Sequence, residues 1–139
     1  LDKYRLVKYV YDQSQLGLNF ALLHLDTEDK MQFFAPFIKK GILDLSKLRL
    51  KNLPNDLNEL GLIKELNLSS NYFENLPVEA LKKLPNLEIL HLNLMRFLKD
   101  FPTELLTIQN LKKIYVSMQL RNLPSEKEQK DSGIEVLIR

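Results

Sequence analysis

A chain that repeats one short pattern at a fixed interval is constrained to fold as stacked copies of one unit, because each copy is too small to bury its own apolar side chains. The pattern here is an apolar-x-apolar triplet with an apolar-Pro pair a few residues later. Leu43-Asp44-Leu45 precedes Leu53-Pro54, Leu66-Asn67-Leu68 precedes Leu76-Pro77, Leu90-His91-Leu92 precedes Phe101-Pro102, and Ile114-Tyr115-Val116 precedes Leu123-Pro124. The triplets start at 43, 66, 90 and 114, intervals of 23, 24 and 24 residues. Neither a four-helix bundle nor a β-sandwich imposes such a period.

Alternation within each triplet is the signature of a strand with one buried face, so the flanking apolar residues point inward and the middle residue faces solvent. Between strands the apolar residues fall three apart: Leu57, Leu60 and Ile63, then Leu81, Leu84 and Leu87, then Leu105, Ile108 and Leu111. That spacing predicts a short helical or 3₁₀ return. Each inward leucine contributes roughly 1.5–3 kcal/mol on burial, so the stacked rows account for the fold.

The best copy, Ile63 to Pro77, follows LxxLxLxxNxLxxLP nearly position for position. On these residues the chain resembles the leucine-rich-repeat family, in its LPxxLxxL variety with repeats of about 23–24 residues. The resemblance implies an α/β solenoid of about four full repeats plus a degenerate N-terminal coil. A parallel β-sheet lines the concave face of such a solenoid, and short helical or 3₁₀ returns line its convex face. It also implies an asparagine at the ninth position whose amide bonds the backbone of adjacent coils. Only Asn71 holds that place cleanly; Leu48 stands there in the first full repeat, and Gln119 or a neighbour in the fourth. Backbone groups at the other turns then need different partners, and water or irregular geometry is expected there. The third repeat has one residue too many before its apolar-Pro pair and the fourth one too few. Leu94-Met95-Arg96-Phe97-Leu98 therefore holds more apolar residues than one turn buries. Either the turn bulges inward, or some of Leu94, Met95 and Phe97 are exposed.

Subtracting 23 from Leu43, Leu45, Leu57 and Leu60 lands on Phe20, Leu22, Phe34 and Phe37. Residues 17–41 are read as the degenerate first coil, with a helix starting near Asp26-Thr27-Glu28-Asp29 and bent or shortened by Pro36. Tyr4 to Tyr11 reads as a strand turned back at Asp12-Gln13-Ser14-Gln15. The expected partition is a capping segment at 1–41 and a repeat domain at 42–139. Ser125 to Ser132 reads as a polar loop, and a last strand is expected near 134–138. Arg139 follows it with no dedicated cap, so under-capped ends offer a route to homo-oligomers.

Composition narrows the function classes. Twenty basic residues against 18 acidic ones leave a formal charge of +2, which disfavours a nucleic-acid partner. No apolar run reaches the roughly 18–20 residues of a membrane span. With no cysteine, thiol nucleophiles, disulfides and thiolate metal sites are excluded. His24 and His91 are the only histidines, about three coils apart, and no GxSxG, HExxH or Gly-rich phosphate loop occurs. No enzyme, cofactor or metal is expected. The absence of a visible signal peptide and of cysteine caps favours a cytoplasmic location.

The register predicts which residues line the concave face. Ala21, Asp44, Asn67, His91 and Tyr115 form the middle row. Asn19, Ile42, Glu65, Ile89 and Lys113 precede it, and Leu23, Ser46, Ser69, Asn93 and Ser117 follow. A mixture of aromatic, amide, charged and apolar groups suits a protein interface. The expected binding residues are Asp44, Glu65, Asn67, Ile89, His91, Asn93, Lys113 and Tyr115, centred on the third and fourth repeats. The function expected is a protein-protein interaction module of signalling or scaffold type. The alternative is a self-assembling solenoid or the recognition arm of a larger protein. Lys47, Arg49, Lys51, Arg96, Lys99 and Arg121 fall at or after the strands, and a shared basic edge is a further expectation.

Overall fold

The computed structural model describes residues 38, 39, 41–53 and 61–139. The expected hairpin at 4–15, the helix near 26–34, and Asn19, Ala21, Leu23, His24, Leu57 and Leu60 lie outside the described residues.

Among the described residues six strands form one sheet in chain order: β1 (Ile38–Lys39), β2 (Ile42–Asp44), β3 (Glu65–Asn67), β4 (Ile89–Leu92), β5 (Lys113–Val116) and β6 (Glu135–Ile138). Strands β2 to β6 are all parallel, with Leu43 opposite Leu66, Leu66 opposite Leu90, Leu90 opposite Ile114 and Ile114 opposite Val136. The connections carry little regular helix: α1 (Val78–Lys82), a 3₁₀ turn at Thr103–Thr107 and α2 (Glu126–Ser132). The chain is thus α/β, a parallel sheet with few short helices, compatible with a solenoid.

One face of the sheet is sealed. Leu43, Leu45, Leu66, Leu68, Leu90, Leu92, Ile114 and Val116 are buried, and so are the return residues Ile63, Leu81, Leu84, Leu87, Leu105, Ile108 and Leu111. The alternation that produces this is the two-residue period of a strand. Between strands, carbonyls of Gly41, Lys64 and Glu88 each accept two successive N–H groups from the neighbouring segment, at 2.7–3.1 Å. That shared acceptor fixes where each strand enters the sheet.

The turns after the strands differ in how they satisfy their backbone. Asn71 is fully buried. Its Oδ1 accepts from the N–H groups of Leu48 and Leu50, and its Nδ2 donates to the carbonyls of Leu45 and Leu68. At the next turn, where an asparagine is lacking, serines supply the partners: Ser69 Oγ accepts from Asn93 N at 2.9 Å, and Ser117 Oγ from Leu94 N at 2.8 Å. The backbone bend is common to both kinds of turn: Lys47, Ser70 and Leu94, each four residues past the paired Leu43, Leu66 and Leu90, all hold positive φ, between 54° and 61°.

One expectation needs correcting, and one pairing was not foreseen. Strand β2 also pairs with β1, running antiparallel, with Ile38 opposite Leu43 and Lys39 opposite Ile42. A turn at Gly41, with φ of 79°, folds the chain straight back on itself. Ser125 to Ser132 is not a loop. Ser125 Oγ accepts from Glu128 N at 3.1 Å while Glu128 Oε1 accepts from Ser125 N at 3.0 Å, a reciprocal cap that starts α2. Gly133, at φ of 74°, ends it in the left-handed conformation favoured there.

Candidate partner-binding face

The face of the sheet opposite the core carries the residues singled out by register. Asp44, Asn67, His91 and Tyr115 stand opposite one another across β2 to β5, and Leu137 on β6 continues their row. Ile42, Glu65, Ile89 and Lys113 form the adjoining row, continued by Glu135. Asn93 follows β4 and accepts from Ser70 N through its carbonyl at 2.9 Å.

Not all of these side chains are equally available. Asp44 Oδ1 accepts from Ser46 N at 3.0 Å and from Ser46 Oγ at 2.6 Å, and Asn67 Oδ1 accepts from Ser69 N at 3.0 Å. Both residues therefore serve the turns that leave their own strands. Ile42, by contrast, is 41% exposed, an apolar side chain on the outer part of the face.

The centre of the face is built differently. His91 Nε2 lies 3.0 Å from Glu65 Oε2, so that nitrogen carries the proton and donates to the carboxylate. The His91 ring stacks on Tyr115, with centroids 4.8 Å apart and planes 11° from parallel. The guanidinium of Arg139 sits 3.8 Å from the Tyr115 ring centroid. A diagonal line thus runs acid, imidazole, phenol, guanidinium across four neighbouring segments, taking Glu65 from one row, His91 and Tyr115 from the next and Arg139 from the one after. Arg139 is placed by its backbone, whose N–H donates to Val116 O at 2.9 Å.

This line comes from parallel register. Strands about 4.8 Å apart bring aromatic rings at equivalent positions to stacking distance without any turn between them. A stacked aromatic pair adds about 0.5–1.5 kcal/mol, and an exposed cation over a ring about 0.5–1 kcal/mol. The side chain of His91 is only 13% exposed, so its ring is largely walled in, while Tyr115 is partly buried.

Arg139 is the functional candidate that sequence reasoning missed. Ser46, Ser69, Asn93 and Ser117 each fall three residues past the paired Leu43, Leu66, Leu90 and Ile114, and the 22-residue step from Ile114 to Val136 carries Ser117 onto Arg139. Extending that row by one member would have found it.

Other charges flank the face. Lys112 Nζ is 2.7 Å from Glu88 Oε1, and that hydrogen bond and charge hold the Glu88 carboxyl below its ordinary range. Among the described residues no group of three or more His, Cys, Asp or Glu side chains could hold a metal ion, and no helix is long and apolar enough to cross a membrane. In the stretch 94–98, Met95 and Leu98 are buried whereas Leu94 and Phe97 are 61% and 41% exposed. No protein-family model matches the chain, and no curated protein sequence matches it.

Proposed function

We propose that this chain is a leucine-rich-repeat solenoid that holds a protein partner on the open, concave face of its parallel sheet. The repeat reading rests on strands paired in register at 23, 24, 24 and 22 residues, with leucine, isoleucine or valine at each equivalent inward place. The binding reading rests on one observation, the contiguous line of Glu65, His91, Tyr115 and Arg139 side chains. Its side chains are ordered by one another before any partner arrives. Immobilising a free side chain on binding costs about 0.5–1.5 kcal/mol, and a pre-stacked row avoids much of that cost. Tyrosine and arginine are also the residues most often found at energetic centres of interfaces. Ile89 and Lys113, in the adjoining row, frame the anchor with one apolar and one charged contact.

The test is capture of proteins from a source extract on three immobilised forms: wild type, a His91→Ala/Tyr115→Ala double variant, and Phe97→Ser, which lies away from the sheet face. Circular dichroism would first establish that all three are folded. A protein held by wild type and by Phe97→Ser but lost by the double variant is the expected result. Retention of the same proteins by wild type and the double variant would overturn the assignment.

A further inference from the structure

We propose that helix α2 bars the outer edge of β6 against a second copy of this chain, and that with the bar removed the copy adds there as an antiparallel strand about a two-fold axis. Among the described residues β5 is the strand that pairs with β6. Glu135 N–H donates to Lys112 O at 2.8 Å and Arg139 N–H to Val116 O at 2.9 Å. Residues 135, 137 and 139 therefore turn their backbone groups toward β5. Alternation along the strand turns those of Ile134, Val136 and Ile138 the other way, to the outer edge.

Two side chains of α2 stand where the carbonyls of a further strand would stand. Gln129 Oε1 accepts from Val136 N at 2.9 Å, and Ser132 Oγ accepts from Ile134 N at 3.2 Å. Ser132 reaches only two residues along its own turn. Gln129 reaches seven residues forward onto the strand, and its amide is braced at the other end, where Nε2 donates to Pro124 O at 3.1 Å. The helix buries none of its residues, so hydrogen bonds and not apolar packing bring this side chain to the edge. A strand edge is a template for another strand, and covering it with a helix is one way to blunt it.

The sequence of β6 points to the occupant. In an antiparallel pair centred on Leu137, Glu135 of each copy falls opposite Arg139 of the other, Val136 opposite Ile138, and Leu137 opposite Leu137. Glu135, Leu137 and Arg139 belong to the open face, and Arg139, whose guanidinium lies over the Tyr115 ring, is exposed there. Opposite charges directly across a strand pair favour it, and like charges oppose it. A parallel pairing of the same two strands would set Glu135 beside Glu135 and Arg139 beside Arg139. On the core side, Val136 and Ile138 stand opposite the buried Ile114 and Val116, yet Ile138 is 54% exposed for want of an apolar neighbour. The backbone agrees with this register, because residues 136 and 138, which turn outward, are the ones that meet.

The experiment is sedimentation velocity at rising concentration on the wild-type chain and on Gln129→Met and Gln129→Lys, both of which remove the acceptor for Val136 N; circular dichroism selects the variants that are folded, and either one suffices. Wild type should stay monomeric and the variants should form a dimer. Adding Glu135→Arg to the open variant sets like charges opposite each other and should weaken the dimer about tenfold, and the exchange Glu135→Arg/Arg139→Glu should restore it. The chain has no cysteine, so Leu137→Cys reads the register directly. Under mild oxidation it should cross-link in the open variant and not beside an intact Gln129, whereas Lys83→Cys, on an exposed return, should cross-link in neither. Open variants that stay monomeric, a wild type already paired through β6, or a dimer indifferent to the charge changes would overturn the proposal. Cross-linking at residue 137 that is equal in the two backgrounds would do the same.

Discussion

The turn after β3 and the turn after β4 occupy equivalent places and solve the same problem in opposite ways. After β3, buried Asn71 ties together backbone groups of its own turn and of the segment before it. After β4, Met95 takes the matching place and is also buried, but a thioether cannot replace those hydrogen bonds. Serine hydroxyls from the flanking segments satisfy Asn93 and Leu94 instead, and one extra residue pushes Phe97 outward. The regular turn is a structural plug; the irregular one presents surface chemistry. Places where equivalent turns differ are therefore where distinctive contacts arise, because the inward positions of the parallel strands are already committed to the core.

That contrast can be broken or sharpened by substitution, measured as unfolding free energy in denaturant titrations. The largest effect is expected at Leu68, buried at the root of the β3 turn. Leu68→Ala should cost roughly 2–5 kcal/mol while Asn67→Ala beside it costs about 0.5 kcal/mol or less. Equal losses would mean that the two faces of β3 are assigned the wrong way round. Asn71→Ala strands two buried N–H groups and two carbonyls, and a loss of about 2–4 kcal/mol is expected. A loss near zero would show that the amide is not what holds this turn.

On the irregular side the effects are smaller. Ser117→Ala leaves the Leu94 N–H without its acceptor and should cost about 1 kcal/mol. Leu94→Gly relieves the positive φ and removes an exposed side chain, so stability should hold or rise by up to about 1 kcal/mol. A clear destabilisation by Leu94→Gly would instead make Leu94 part of the packing, and the two turns would no longer contrast.

The strand register was legible in the sequence because leucine spacing is imposed by the core itself: every inward place must be apolar or the stack opens. The open-face rows follow from that register, so Glu65, His91 and Tyr115 could be placed together before any coordinates. Their stacking could not, since spacing says which side chains are neighbours and not how rings tilt. Arg139 was missed because it was read as the end of a strand and not as the next member of a row. Helix α2 was missed for a different reason. It buries none of its residues, so it has no apolar periodicity, and its only signals are the Ser125 and Glu128 cap and Gly133. The strand β1 escaped because it is only two residues long, too short to carry an alternation of its own, and its pairing depends on the turn at Gly41.

That turn has a consequence for how the molecule behaves in a crowd. Among the described residues β1 is the strand that covers the outer edge of β2, and an uncovered strand edge is the kind of template onto which a second molecule's strand adds. The two residues of β1 fill that edge from within the same chain. At Gly41 a Cβ would meet Leu62 O at 3.4 Å while the backbone is held at a φ that other residues resist. Losing that glycine would therefore show itself as turbidity and growing particles and leave partner recognition intact, which makes residue 41 a guardian of solubility.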